Sequence, residues 1–340
     1  MKAAHPIDRG EIERAAAILG RGGLVAFPTE TVYGLGADAS NEQAVRRIFA
    51  VKGRPVDHPL IVHLAAADQL SDWAREIPSA AAQLAQKFWP GPLTMILKRG
   101  RNVSDVVTGS QSTVGLRIPS HPVALALLRQ FERGERGERG ERGERGERGV
   151  AAPSANRFGH VSPTTALHVR NDLGGDVDMV LDGGATDVGI ESTIIDLSRG
   201  RPVLLRPGRI TREQLAAALG EPIASRDADA PRASGTLDSH YAPVTPARLV
   251  PAERLIDEAL AHGRRGAVAV IARTSFRPKH FAPSELHWCN LPASPEGYAR
   301  LLYATMRDVD ALRASVILVE AVPATPDWAG IRDRLVRATH

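Results

Sequence analysis

The stretch "FPTETVYGLG", Phe27 to Gly36, follows the apolar run Leu24, Val25, Ala26. It sets two threonines, a glutamate and a tyrosine between a proline and two glycines. A strand that only fills a core has no need of those polar groups. The pattern predicts a strand over Leu24–Phe27 and leaves open what ligand, if any, the polar groups after it meet.

Working outward, helical and strand signals alternate through the first 220 residues. Glu11–Leu19 has helical spacing and ends at Gly22-Gly23. Ser40 with Gln43 reads as a capping box opening a helix through Val51. Strands are expected at Leu60–Leu64, Leu93–Lys98, Val114–Ile118, Val150–Ala152, Met179–Leu181, Thr193–Leu197 and Val203–Arg206. Helices are expected up to Trp89, over Pro122–Arg129, from an N-cap at Ser162 followed by Pro163, and from Thr211 with Gln214. Ile223–Pro243 is polar and without apolar period, and reads as a linker. Beyond it, helices (Ala252–His262, Glu296–Leu312, Trp328–Ala338) alternate with strands (Ala267–Ala272, Val316–Val322), which predicts a small α/β domain with a parallel sheet. The expected division is thus 1–220, a linker at 221–243, and 244–340.

Residues Glu132–Gly149 are six copies of Glu-Arg-Gly. A helix there would carry six glycines at about 1 kcal/mol each, more than Glu–Arg pairs return. The run reads as a solvated loop.

Composition narrows the function. The 340 residues are 43% hydrophobic and 24% charged, with a net charge of +4. No apolar run reaches the ~18 residues of a membrane span. The first ten residues lack the apolar core of a signal peptide. The single cysteine, Cys289, excludes an intramolecular disulfide and a cysteine-based zinc cluster. A cytoplasmic protein is expected. Scattered arginines and 4% aromatics argue against a nucleic-acid-binding surface. GxxxxGK(S/T), a strand-to-helix GxGxxG, HExxH, GxSxG and CxxC are all missing.

Three further stretches carry chemistry. In "KGRP" (52–55), Lys52 and Arg54 follow a helix and either cap it or grip a polyphosphate. In "APSANRFGHVSPT" (152–164), Ser154 and Asn156 stand at a strand's end, where α/β sheets hold ligands, and either meet one or only form the turn. In "STVGLRIP" (112–119), Arg117 lies inside an apolar strand and needs a partner, either a structural carboxylate or one on a substrate.

Together with "HPLIVHL" (58–64), "GIESTIIDL" (189–197), "LLRPG" (204–208) and "SHYAP" (239–243), these stretches resemble the long, two-domain form of the YrdC-like threonylcarbamoyl-AMP synthases. The resemblance spans about residues 8–220 and the linker; the last hundred residues share only general character. It implies a YrdC-like twisted mixed sheet flanked by helices, plus a smaller C-terminal Rossmann-like α/β domain. It implies a reaction of L-threonine, bicarbonate and ATP giving threonylcarbamoyl-AMP and pyrophosphate, with Mg²⁺ held mainly by the ATP phosphates and no protein metal ligands. A partner tRNA threonylcarbamoyltransferase would pass the group to an adenosine beside the anticodon. Direct tRNA contact is not required, and a monomer is expected.

Residue by residue, the resemblance places the phosphate set on Lys52, Arg54, Ser154 and Asn156. Nucleotide contacts fall on His58, Thr113, Ser162, Arg206 and Tyr241, the last on the segment that folds back over the cavity. Threonine contacts fall on Thr31, His63, Arg117, Ala152 and Ser192. His58 departs from the family's usual asparagine, and the Glu-Arg-Gly run stands where relatives have a short loop. Two other readings remain: a carbamoyl-adenylate-forming enzyme, and a non-catalytic RNA-binding module.

Overall fold

The structure, a computed structural model, describes residues 8–134, 148–236, 241–279 and 286–339. The chain begins with α1 (Arg9–Gly20), β1 (Val25–Pro28), β2 (Tyr33–Asp38), α2 (Glu42–Lys52) and β3 (Ile61–His63). Then come α3 (Leu70–Trp73), α4 (Ser79–Phe88), β4 (Leu93–Lys98), α5 (Asp105–Thr108), β5 (Thr113–Arg117) and α6 (Pro122–Arg133). They are followed by β6 (Val150–Ala151), α7 (Ala166–Leu173), β7 (Met179–Val180), β8 (Thr193–Asp196), β9 (Val203–Arg206), α8 (Arg212–Leu219) and β10 (Ala224–Ser225).

These ten strands form one mixed sheet in the order β10-β9-β8-β4-β5-β3-β6-β2-β1-β7. Side chains alternate across it, as the period of two requires. Leu24 and Ala26 join a core with Val45 and Ile48 of α2 and Leu84 of α4. Val25 and Phe27 join the opposite one, with Leu19 of α1 and Leu127 and Phe131 of α6.

The remaining elements are β11 (Ala247–Val250), α9 (Ala252–Gly263), β12 (Val268–Ala272), β13 (Leu286–Asn290), α10 (Pro295–Ala311), β14 (Val316–Glu320) and α11 (Ala329–Ala338). The second sheet, β11-β14-β12-β13, is parallel throughout. The two units share a core: Val32, Val161, Ile190 and Tyr241 cluster with Tyr298, Leu302, Tyr303, Met306, Ile331 and Leu335. Where Gly330 meets Gly208 the backbones touch, since a Cβ on Gly330 would stand 2.9 Å from the Cα of Gly208.

Several local expectations are corrected. The cap of α2 is Asn41, whose side chain accepts from Ala44 N, because Ser40 donates its hydroxyl to Asp38 instead. Ser162 opens no helix: its hydroxyl is taken by Glu191, and Thr165 caps α7. The linker is not structureless, since Ala224 and Ser225 pair with Val203 and Leu204; two residues are too few to leave a period in sequence. The Glu-Arg-Gly run is not loop throughout. Glu132 and Arg133 lie in α6. Arg148 donates to Phe131 O at 2.8 Å, and Gly149 O accepts from Ala39 N. The stretch between, 135–147, lies outside the described residues.

Candidate active site

The opening stretch is a tight hairpin, with β1 and β2 antiparallel around Thr29–Val32. Thr29 is structural: its hydroxyl donates to Val32 O at 2.7 Å and accepts from the backbone N–H of Thr31 and Val32. Glu30 accepts from Ser120 N at 3.1 Å and pairs with Arg117. Thr31 accepts from Arg117 Nη1 at 3.0 Å. The two threonines thus bind each other, Thr31 and Glu30 meet one buried arginine, and Tyr33 donates its hydroxyl to Gly184 O at 2.7 Å.

The hairpin walls a hollow of about 50 Å³. Nine of the residues named from sequence line it: Thr31, Arg54, His63, Arg117, Ala152, Ser154, Ser192, Arg206 and Tyr241. The alternation of strands and loops delivers them. His63 and Arg117 are register partners at the ends of the parallel pair β3–β5. Arg206 ends β9, and Ser192 precedes β8. Five of the named residues do not line it: Lys52, His58, Thr113, Asn156 and Ser162. Lys52 lies beneath, where its ammonium donates to the carbonyls of Ser154 (2.6 Å) and Asn156 (2.5 Å). It thereby holds the loop that carries Ser154. Asn156 donates to the carbonyls of Arg157 and His160, each at 2.8 Å. His58 sits edge-on to Phe158 at 5.4 Å, and Thr113 stands at the far end of β5 from Arg117.

The site is strongly electropositive. Arg54, Arg117 and Arg206 are all buried. Burial lowers the Arg54 pKa to about 10, and burial together with neighbouring Arg54 holds Lys52 well below the usual lysine range. Burial and then Arg117 push His63 down to about 3, so its imidazole is neutral; its Nδ1 is buried and meets no hydrogen-bond partner. A group that far below neutrality is a hydrogen-bonding group rather than a base.

Part of the linker covers the hollow. Ser234, Gly235 and Tyr241 line it. Arg54 Nη2 donates to Ser234 Oγ at 3.3 Å, and Arg206 Nη1 donates to Ser234 O at 2.8 Å. Gly235 has φ +72°, and a Cβ there would stand 1.8 Å from the Tyr241 hydroxyl, so only glycine admits the ring. His240 lies outside the described residues. Linker oxygens therefore occupy two cations that a ligand's anionic oxygens would otherwise meet.

Sequence reasoning missed four participants: Glu30, Glu191, Arg334 and Ser234. Glu30 lay inside the stretch already singled out. Arg334 carried no signal, because its partner is 143 residues away.

A mixed α/β sheet that gathers three buried arginines and a ring of hydroxyls on one lidded hollow defines a binder of small, polar, anionic molecules. Comparison with known proteins narrows this class. Residues 17–208 match the Sua5/YciO/YrdC family model, described as telomere recombination, and residues 210–339 match the model described as threonylcarbamoyl-AMP synthase, C-terminal domain. The chain belongs to the Sua5/YciO/YrdC family. It is 39% identical to the threonylcarbamoyl-AMP synthase of Pyrococcus abyssi, over 98% of this chain and 95% of that one. It is 39% identical to that of Bacillus subtilis, over 96% and 92%. The crystal structure of P. abyssi Sua5 complexed with L-threonine superposes with a TM-score of 0.87 at 38% identity, covering 99% of this chain and 96% of that one.

Proposed function

We propose that the chain is an enzyme that joins L-threonine, bicarbonate and ATP into threonylcarbamoyl-AMP, releasing pyrophosphate. The product would feed a tRNA threonylcarbamoyltransferase acting on the adenosine beside the anticodon. The observation that carries this is the pairing, on one hollow, of a carboxylate-binding corner (Arg117, Thr31, His63) with two further arginines, Arg54 and Arg206. It occurs in a chain similar over nearly its whole length to threonylcarbamoyl-AMP synthases.

The chemistry follows from charge. Threonine's neutral amine attacks the bicarbonate carbon; the N–C bond forms as a C–O bond breaks, and the hydroxide leaves with an amine proton as water, which gives the carbamate. A carbamate oxygen attacks the α-phosphorus, forming one P–O bond as the bond to pyrophosphate breaks, and the electron pair leaves with pyrophosphate. Negative charge grows on the phosphoryl oxygens, where Arg54 and Arg206 stabilise it in a site screened from water. Lys52 orders the Ser154–Asn156 loop from below. Arg117 holds the threonine carboxylate, since each of its terminal nitrogens carries two hydrogens and has one named protein partner.

At about 50 Å³ the hollow is well short of the roughly 300 Å³ at which small-molecule pockets begin. Ser234 and Tyr241 must therefore withdraw to admit a nucleotide. Glu191 is the one carboxylate on the lining among the described residues, and it is committed to Ser162, Tyr303 and Arg334. Among the described residues no lining carboxylate is thus free to ligate a metal, so Mg²⁺ would arrive on the triphosphate.

The test is pyrophosphate release from ATP, Mg²⁺, bicarbonate and L-threonine, with each component omitted in turn. Release that depends on threonine and bicarbonate supports the reading. Release driven by carbamoyl phosphate instead, or none at all, overturns it.

A further inference from the structure

The proposed chemistry involves no residue after Tyr241, yet the C-terminal unit reaches the back of the site through Arg334 and Tyr303. Arg334 of α11 is fully buried. Its Nε donates to Glu191 Oε2 at 2.7 Å, its Nη2 to Glu191 O at 3.2 Å, and its Nη1 to Pro207 O at 2.9 Å and to Asp333 at 2.7 Å. Its guanidinium carbon stands 5.4 Å from the centre of the Tyr241 ring.

Those partners are placed tellingly. Glu191 immediately precedes Ser192, and Pro207 immediately follows Arg206. Ser192 O in turn accepts from Arg206 Nε at 3.1 Å and Nη2 at 2.8 Å. Tyr303 of α10 donates to Glu191 at 3.0 Å and stacks on Tyr241 with ring centres 5.8 Å apart. Glu191 lies between the Arg334 and Arg206 charges. Burial alone would raise its pKa, but those two arginines hold its carboxyl below the ordinary range.

We infer that Arg334 is a positioning residue of the active site, one guanidinium of the C-terminal unit that sets Ser192, Arg206 and Tyr241 together. The inference rests on the adenylation reading above. It gives the C-terminal unit a part in ATP turnover beyond anchoring the linker. Lysine could keep the charge opposite Glu191, but it lacks the planar fork that holds both backbone carbonyls.

The test uses the full chain and the variants Arg334→Met, Arg334→Lys and Tyr303→Phe, with melting temperature, kcat and KM for ATP and L-threonine measured on each. Arg334→Met should lower both the melting temperature and kcat/KM for ATP, the latter by on the order of tenfold to a hundredfold, as for other misplaced site groups. Arg334→Lys should recover melting temperature more than it recovers kcat/KM, because stability follows the ion pair and turnover follows the carbonyl bonds. A tie that is merely structural would make Arg334→Lys recover melting temperature and kcat/KM in equal measure, or leave kcat/KM of Arg334→Met at the wild-type value while its melting temperature falls; either result overturns the inference. Should neither arginine variant fold, Tyr303→Phe decides. It keeps the stacked ring and removes one bond to Glu191, so a severalfold loss of kcat/KM is expected, and an unchanged value contradicts the inference. A wild-type chain without threonine-dependent pyrophosphate release would sink the adenylation reading and this inference with it. An active wild type beside unaltered variants sinks this inference alone.

Discussion

Arg117 Nη2 lies 2.7 Å from Glu30 Oε1, in an ion pair whose side chains are only 5% and 7% exposed. It is a pair by distance rather than an aligned hydrogen bond, so the Nη2 hydrogens remain able to meet a second acceptor. Removing one partner of a buried pair leaves an uncompensated charge and costs about 3–5 kcal/mol. Glu30→Ala should therefore lower the urea midpoint by a corresponding amount and raise KM for threonine, because Arg117 loses the group that steadies it. An unchanged midpoint would show that the pair contributes no net stability.

Arg54→Ala should abolish most turnover while the fold persists. The side chain lines the hollow, donates to Pro59 O and Ser234 Oγ, and stands 5.6 Å from the centre of the Phe158 ring. The loss of one donor to a developing anion costs on the order of a hundredfold in rate. Pyrophosphate release at the wild-type rate, in a variant with unaltered circular dichroism, would remove Arg54 from the phosphate site.

The Glu-Arg-Gly run should divide into a dispensable middle and an indispensable end. Replacing 135–147 by a short Gly/Ser linker is expected to keep activity within a few fold. Gly149→Val is not tolerated in the same way. A Cβ at Gly149 would stand 2.5 Å from Val62 Cγ1 and 2.9 Å from the Trp73 ring, an overpacking that costs about 1–3 kcal/mol or more. Thermal melts of the two variants separate the effects, and a Gly149→Val protein as stable as wild type would contradict this packing.

His63 makes stability depend on pH. Its pKa is about 3 in the folded chain against an ordinary 6.5. Between those values the unfolded chain binds the extra proton, so the stability linked to neutral His63 is present above pH 6.5 and is lost as pH falls toward 3. Melting temperature should fall more steeply between pH 6.5 and 5 in the wild type than in His63→Gln. Parallel curves would mean that His63 titrates as freely in the folded chain as in the unfolded one.

Much of the architecture was legible because it rests on local signals. The Thr211–Gln214 capping box appears as read, with reciprocal bonds at 3.3 and 2.9 Å. The strand at Leu93–Lys98 keeps its bounds. What escaped depended on partners remote in sequence. β2 hid in "YGLGAD", whose two glycines weaken a strand pattern, although Gly36 is needed there, since a Cβ on it would lie 2.7 Å from Val150. Ser162 has the composition of a helix cap, yet the buried Glu191 carboxylate claims its hydroxyl at 2.5 Å. Lys52 and Asn156 stood in the right motifs, but their side chains bond loop carbonyls rather than line the hollow. Residue type and spacing point to a site; they do not say which polar group faces the ligand and which supports the wall.

The central claim is the covalent union of threonine, a bicarbonate carbon and the adenylate. The most direct measurement is mass spectrometry of the purified chain's product after incubation with ATP, Mg²⁺, L-threonine and ¹³C-bicarbonate. The account predicts a threonylcarbamoyl-adenylate that carries the heavy carbon, lost in Arg54→Ala. Threonyl-adenylate without that carbon, or no adenylate with the wild-type protein, would contradict it.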